Sequence, residues 1–249
     1  MKLKIVIPAR LGSTRLPKKI LADIFGKPML WWTWKRAVRV LSNSEDVILA
    51  VDDVKVKNIM EKYGACVELT SKKCADGTAR VREVARKISA DWIINIQADE
   101  PNFSIKGVKM LIEFVKNNKN VEFATLACPL ISMKDLNDPN IVKVILDSND
   151  CALYFSRWAI PYSRDRKKIS EYLKKKRYLK HIGIYAYKKE FLLKTNDFAE
   201  SWIGEAEKLE QLKYLYSGKN INVIRGSFDS IGVDVYGDLS KVKKHLRGN

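Results

Sequence analysis

Through its first hundred residues the chain alternates short apolar runs rich in β-branched residues with stretches of helical periodicity, and few architectures accept that pattern. A run of five or so apolar residues is too short for a helix and has no polar face, so it belongs where both sides are covered, as strands of a parallel sheet are. The helical stretches supply the crossovers such a sheet requires. This reading predicts strands from Lys4 to Ala9, Asp46 to Val51, Cys66 to Leu69 and Trp92 to Gln97. Helices are expected from Met29 to Leu41, Val54 to Tyr63 and Thr78 to Ile88, with a loop from Arg10 to Pro28. The second half reads as strands from Glu122 to Pro129 and Ile141 to Asp147, then Ala152 to Arg157 leading into a basic, irregular stretch that ends near Lys180. A strand from Lys180 to Lys188, a helix from Ile203 to Tyr216, a strand from Ile221 to Arg225 and a closing helix from Tyr236 to Leu246 complete it. The expected fold is α/β, a mostly parallel sheet flanked by helices, forming a single domain over 1–249 in which roughly 122–188 make a smaller inserted lobe.

Composition narrows the chemistry. Cys66, Cys74, Cys128 and Cys151 are scattered without the CxxC spacing of zinc or redox sites, which favours a reducing, cytoplasmic setting. No segment approaches the ~20 apolar residues of a membrane span, so neither a signal peptide nor a membrane partner is expected. Lys and Arg number 46 against 29 Asp and Glu, a formal net charge of +17 that must favour anionic partners. Nucleic acid is one such partner, but the densest basic run, Lys167 to Arg177, has only Tyr172 beside it before Tyr178, and no helix-turn-helix, zinc-finger or RNP pattern accompanies it. A nucleoside triphosphate and a sugar carboxylate are anions too, so no nucleic-acid partner is expected.

The residues that could carry chemistry lie where strands end. Ile7-Pro-Ala-Arg-Leu-Gly-Ser-Thr-Arg-Leu-Pro-Lys-Lys-Ile joins Gly12, two hydroxyl residues and the cations Arg10, Arg15 and Lys19 directly after the first strand. Backbone N–H groups of such a loop, with guanidinium forks and an ammonium, make an anion cradle, although an ordinary basic loop has the same composition. Asp99, in Gln97-Ala-Asp-Glu-Pro, stands at the carboxyl end of a strand, where open α/β sheets place ligands and where a hard carboxylate suits Mg²⁺. It could equally be a turn acid before Pro101. Asp234 is a second candidate, able to share a metal with Asp99 only if the fold joins the two loops. Between Lys180 and Tyr187 a period of two puts His181, Gly183, Tyr185 and Tyr187 on a polar face and Ile182, Ile184 and Ala186 on an apolar one. On the helix expected from Ile203, Glu207, Glu210, Gln211 and Tyr214 form a polar stripe beside Ala206, Leu209, Leu212 and Tyr216.

Together the segments IPARLGSTRLP with Lys19, DGTARV, NIQADEP, VKVILD, CALYFSRWAIPY, KHIGIYAY, EKLEQLKYLYSGKNI and DSIGVD resemble, nearly end to end, the 3-deoxy-manno-octulosonate cytidylyltransferases. The resemblance implies a Rossmann-like, GT-A-like nucleotidyltransferase sheet, a homodimer formed through the smaller lobe, and Mg²⁺-dependent transfer of CMP from CTP to the sugar acid for lipopolysaccharide synthesis. It further implies that Arg10, Arg15 and Lys19 meet the triphosphate, that Ala9, Ser71, Gly77 and Gln97 lie near base and ribose, and that Asp99 and Asp234 bind the metal. Arg157, His181, Tyr185, Glu210 and Gln211 would line the sugar-acid pocket. Three family patterns are altered: Q-G-D-E-P has Ala98 for its glycine, H-x-S-G-T-[DE]-R reads Cys74-Ala-Asp-Gly-Thr-Ala-Arg, and V-D-T-P-E-D reads Val233-Asp-Val-Tyr-Gly-Asp. Ala98 could crowd a backbone that approaches the ligand, and Asp76 adds negative charge near the nucleotide. The rival readings are the same chemistry on the 8-amino analogue or a nonulosonate, a GT-A-like glycosyltransferase that consumes a nucleotide sugar, and a nucleic-acid-binding protein.

Overall fold

The computed structural model describes residues 1–12, 16–228, 232–233 and 236–247. The chain divides into two compact units, one made of Met1–Lys109, Ala186–Leu193 and Asp229–Asn249, the other of Met110–Tyr185 and Lys194–Phe228.

The first unit runs β1 (Leu3–Ala9), the two-residue strands β2 (Asp23–Ile24) and β3 (Lys27–Pro28), α1 (Met29–Leu41), β4 (Val47–Val51), α2 (Val54–Glu61), β5 (Cys66–Leu69), α3 (Gly77–Lys87) and β6 (Trp92–Ile96). Strand β1 lies between β4 and β6, parallel to both, with Ile5 opposite Val47 on one side and Ile94 on the other; β5 extends the parallel set beyond β4. Every residue of β4 and β6 is buried, as the unbroken apolar runs require. Helix α1 turns Met29, Leu30, Thr33, Trp34, Ala37 and Val40 inward. It stops at Ser42, whose N–H makes the last helical bond, to the carbonyl of Val38, and whose left-handed backbone (φ 62°) turns the chain out of the helix. Inside the loop expected from Arg10, Phe25 (φ 53°) and Gly26 (φ 75°) close β2 onto β3, both in the left-handed region as a two-residue type I′ turn demands.

Helix α4 (Ile105–Asn117) leads from the first unit into the second. It was not anticipated, although its buried Val108, Leu111, Ile112 and Val115 stand at i, i+3, i+4 and i+7. There follow β7 (Phe123–Pro129), α5 (Met133–Asn137), β8 (Lys143–Leu146), β9 (Ala152–Ser156), α6 (Ile169–Lys174), β10 (Leu179–Lys188), α7 (Lys189–Lys194), α8 (Trp202–Glu207), α9 (Gln211–Tyr216), β11 (Asn222–Arg225) and, back in the first unit, α10 (Tyr236–Arg247). In the second unit β11 runs parallel to β7, while β8 pairs antiparallel with both β9 and β10. The stretch expected to be irregular contains α6, because Leu173, with Ile169 beside it, packs onto Leu130, Leu136 and Tyr178.

One expectation is overturned by backbone conformation. The helix predicted from Ile203 to Tyr216 is two helices, since Lys208 adopts φ 52° and ends α8, and Glu210 is the residue from which α9 starts. The single polar stripe therefore does not form: Gln211 and Tyr214 are buried, while Glu210 and Ala206 face outward.

These burials set a contrast that urea unfolding can check. Leu49→Ala, at 0% exposure in β4, is expected to cost about 2–5 kcal/mol with an unchanged denaturant slope. Leu153→Ser, at 60% exposure, should stay within about 0.5 kcal/mol.

Candidate functional site

At the carboxyl end of β1, Ala9 is buried and Arg10 is exposed. The turn beyond is fixed from the neighbouring strand: Leu11 donates its backbone N–H to Asp52 Oδ1 at 2.9 Å, and Arg80 donates to Asp52 Oδ2 at 3.1 Å. Arg80 is itself buried and donates as well to the hydroxyl of Thr70 and, at 3.3 Å, to the carbonyl of Ser71. Farther along the same loop Lys18 sits in the left-handed region (φ 54°), at a typical cost of about 1 kcal/mol, and a 3-10 turn begins at Lys19. The Lys19 ammonium reaches Asp99 Oδ2 at 2.5 Å. Asp99 follows β6, and its carbonyl accepts the N–H of Val233 at 2.9 Å. The residue next to Asp234 is thereby joined to Asp99, whereas Arg15 and Asp234 themselves lie outside the described residues. Two predicted members of the site, Lys19 and Asp99, are in direct contact.

Asp52 and Arg80 were missed. Asp52 carries the same signal as Asp99, a carboxylate just beyond a buried parallel strand; Arg80 lies within the DGTARV segment, where helical periodicity reports its face and not its partner.

The segment Ser71 to Gly77 is held by acids. Glu83 accepts the N–H of Ser71 at 3.1 and 3.2 Å on its two oxygens and the Cys74 thiol at 3.3 Å. Desolvation, and then the bond to Glu83, push that thiol above its usual range. Asp76 caps α3, accepting the N–H of Ala79 at 2.6 Å. A Cβ at Gly77 would stand 3.3 Å from Gln97 Oε1 and 3.4 Å from Pro8, so glycine allows the start of α3 to approach β1 and Gln97 closely. Ala98 is buried, and its carbonyl accepts the Thr33 hydroxyl at 2.9 Å.

The second unit gathers the other candidates. Arg157 donates Nε–H to Glu207 O at 2.6 Å, and its terminal nitrogens reach Pro139 O at 3.1 Å and Lys208 O at 3.4 Å. Of five guanidinium N–H groups these bonds use three, leaving two for a ligand. Its backbone N–H donates to Glu207 Oε2 at 2.9 Å, while Ser156 donates to Oε1 at 2.6 Å. Below it the ammonium of Lys143, at 0% exposure, donates to Arg157 O at 2.5 Å, Ile141 O at 2.5 Å and Asp138 O at 2.9 Å. Desolvation lowers the pKa of Lys143. His181 is buried, edge-on to Phe155 at 4.9 Å, and its Nε2 lies 3.0 Å from the hydroxyl of Thr125. That hydroxyl has one proton, best placed on Ile184 O at 2.8 Å, so it accepts from an Nε2–H tautomer. Tyr185 is beside His181 and donates to Gln211 Oε1 at 3.4 Å. The face of β10 read as polar is thus mostly enclosed, with Tyr187 at 1% exposure.

The profile of the cytidylyltransferase family matches residues 4–221. A 3-deoxy-manno-octulosonate cytidylyltransferase of Fusobacterium nucleatum subsp. nucleatum is 40% identical over 250 residues, covering 100% of this chain and 98% of that protein. One from Geotalea uraniireducens is 38% identical over 251 residues, covering 99% of this chain and all of that one. A solved structure of CMP:2-keto-3-deoxy-manno-octonic acid synthetase complexed with CTP superposes with a TM-score of 0.91 at 37% identity, over 100% of this chain and 99% of that one.

Burial lowers the His181 pKa to about 3, so the native ring stays neutral where an unfolded one, at 6.5, is protonated. Its contribution to stability is complete above pH 6.5 and falls progressively as the pH drops toward 3. In urea titrations at pH 7 and pH 4, wild type should lose about 3 kcal/mol more than His181→Gln; equal losses would show that the ring is not held neutral.

Proposed function

The chain belongs to the cytidylyltransferase family, and we propose that it transfers CMP from CTP to the anomeric hydroxyl of 3-deoxy-manno-octulosonate, releasing pyrophosphate, for lipopolysaccharide synthesis. The observation that carries this reading to particular atoms is the Lys19 and Asp99 contact of 2.5 Å, a cation from the anion-cradle loop against a carboxylate at the end of β6. A triphosphate entering beside Arg10 offers Lys19 phosphate oxygens in place of Asp99 and releases Asp99 to serve a metal.

The donor set fits Mg²⁺. No group of three acidic, His or Cys side chains is assembled among the described residues. Mg²⁺ asks for less, one or two carboxylates with substrate phosphates and water completing its shell. Asp99 and Asp234 would hold it, and when bound it would neutralise phosphate charge and make the attacking hydroxyl more acidic. Arg10, Lys19 and Arg15 draw charge from the β- and γ-phosphates as the anomeric oxygen bonds to the α-phosphorus, the bond to pyrophosphate breaks and the hydroxyl proton passes to solvent. Ala9, Ser71, Gly77 and Gln97 line the nucleoside. The two free N–H groups of Arg157 take the sugar carboxylate. Tyr185, Glu210, Gln211 and the Nδ1 acceptor of His181 read the hydroxyls. The lobe at roughly 122–188 supplies contacts of a homodimer, and the enzyme works in the cytoplasm.

Pyrophosphate release tests the reading directly when CTP, UTP, ATP and GTP are each paired with 3-deoxy-manno-octulosonate, its 8-amino analogue and N-acetylneuraminate. Turnover is expected with CTP and 3-deoxy-manno-octulosonate, and release confined to another acid would reassign the substrate. Asp99→Asn should lower turnover at saturating Mg²⁺ by about 100-fold or more; near wild-type turnover would remove Asp99 from the metal site.

A further inference from the structure

The loop that follows β1 is fixed by a buried ion pair to which the mechanism above gives no task. We infer that Asp52 and Arg80 are a positioning pair for CTP: Asp52 sets the backbone of the triphosphate loop, and Arg80 cancels the charge that Asp52 would otherwise present to the phosphates. The inference rests on reading Arg10 and its loop as the triphosphate site.

The parallel register ends with Ala9 opposite Val51, so the next residues, Arg10 and Asp52, leave the sheet side by side. A further rung would bond Leu11 to backbone; here the Asp52 carboxylate takes that N–H instead, with Oδ1 on Leu11 and Oδ2 on Arg80. Both oxygens are engaged across the pair, and the side chains are 13% and 4% exposed. Arg80 is aimed from other sides too, by Thr70 and the carbonyl of Ser71, while Thr70 is anchored to Val51 O through its hydroxyl at 2.9 Å and its N–H at 2.8 Å. A carboxylate one step from the proposed phosphate-binding loop is an electrostatic liability for an enzyme that must gather a triphosphate. Its guanidinium partner, supplied by α3, turns that carboxylate into a neutral anchor. The same pair ties the Ser71 end of the proposed nucleoside pocket to the triphosphate loop.

Signs distinguish this from a pair that merely stabilises the fold. CTP affinity is measured by calorimetry with Mg²⁺, at a temperature where circular dichroism shows every variant folded. Arg80→Met leaves the carboxylate uncompensated and should weaken CTP binding about tenfold or more, as for a like charge facing an anion. Asp52→Asn keeps an acceptor for Leu11, removes the charge and should change it about threefold or less, and Arg80→Lys, which keeps the cation, should do likewise. The double variant Asp52→Asn, Arg80→Met should recover most of the loss, binding CTP more tightly than Arg80→Met alone. Equal CTP affinity in folded Arg80→Met and wild type, or a double variant no better than Arg80→Met, would overturn the inference. Arg10→Ala is the control for the underlying reading, because unchanged CTP affinity there would overturn the assignment of the loop, and the pair's role with it.

Discussion

Cations gathered at one loop repel one another, and beside the loop that follows β1 this fold gives two of them a carboxylate partner. Lys19 has Asp99 and Arg80 has Asp52. The two pairs differ in exposure. Arg80 and Asp52 are nearly sealed, so exchanging partners would strand a charge at low dielectric. The Lys19 and Asp99 side chains are 14% and 32% exposed, so water can carry each through an exchange. One pair is shut away from water and the other is open to it. Parallel strands make both possible, since β1, β4 and β6 end at one edge of their sheet and deliver Arg10, Asp52 and Asp99 there.

That edge was the most legible part of the sequence. Unbroken apolar runs can be satisfied only as strands covered on both faces, which is why the predicted and observed β1, β4, β5 and β6 agree to within a residue or so. Helix α1 is found at the predicted ends, because the apolar periodicity starting at Met29 leaves little choice of face. Helix α4 carried a comparable stripe and was passed over, and α6 was hidden by its own charge: the lysines around Ile169 and Leu173 are exposed, and only two or three apolar side chains dock it.

The second half of the site was less legible for a different reason. Helical geometry assigned Glu207, Glu210, Gln211 and Tyr214 to one face, and a single left-handed residue, Lys208, undid the arithmetic. A lysine in that conformation has no sequence signal of the kind a glycine gives. The break has chemical consequences, because ending α8 at Glu207 leaves the carbonyls of Glu207 and Lys208 free to receive Arg157. Lys143 was equally silent. A lysine in a run of Val and Ile reads as an edge residue, yet its ammonium is satisfied by three carbonyls, one of them that of Arg157. Long-range satisfaction of this kind is invisible to periodicity, which reports faces and not partners.

The altered motif positions are where local and long-range constraints meet. Asp76 adds a negative charge close to the proposed nucleotide pocket, but it spends that charge on the N-terminus of α3, where unpaired N–H groups and the helix dipole favour an anion. Cys74, in place of a histidine, donates to Glu83, the carboxylate that also receives the backbone of Ser71. Burial and the bond to Glu83 push its thiol up, and the thiol brings a donor to Glu83. Ala98 keeps its small methyl buried and its carbonyl on the Thr33 hydroxyl of α1. Asp76, Cys74 and Ala98 therefore act on the scaffold behind the loops, through a cap, a hydrogen bond and a packed methyl respectively.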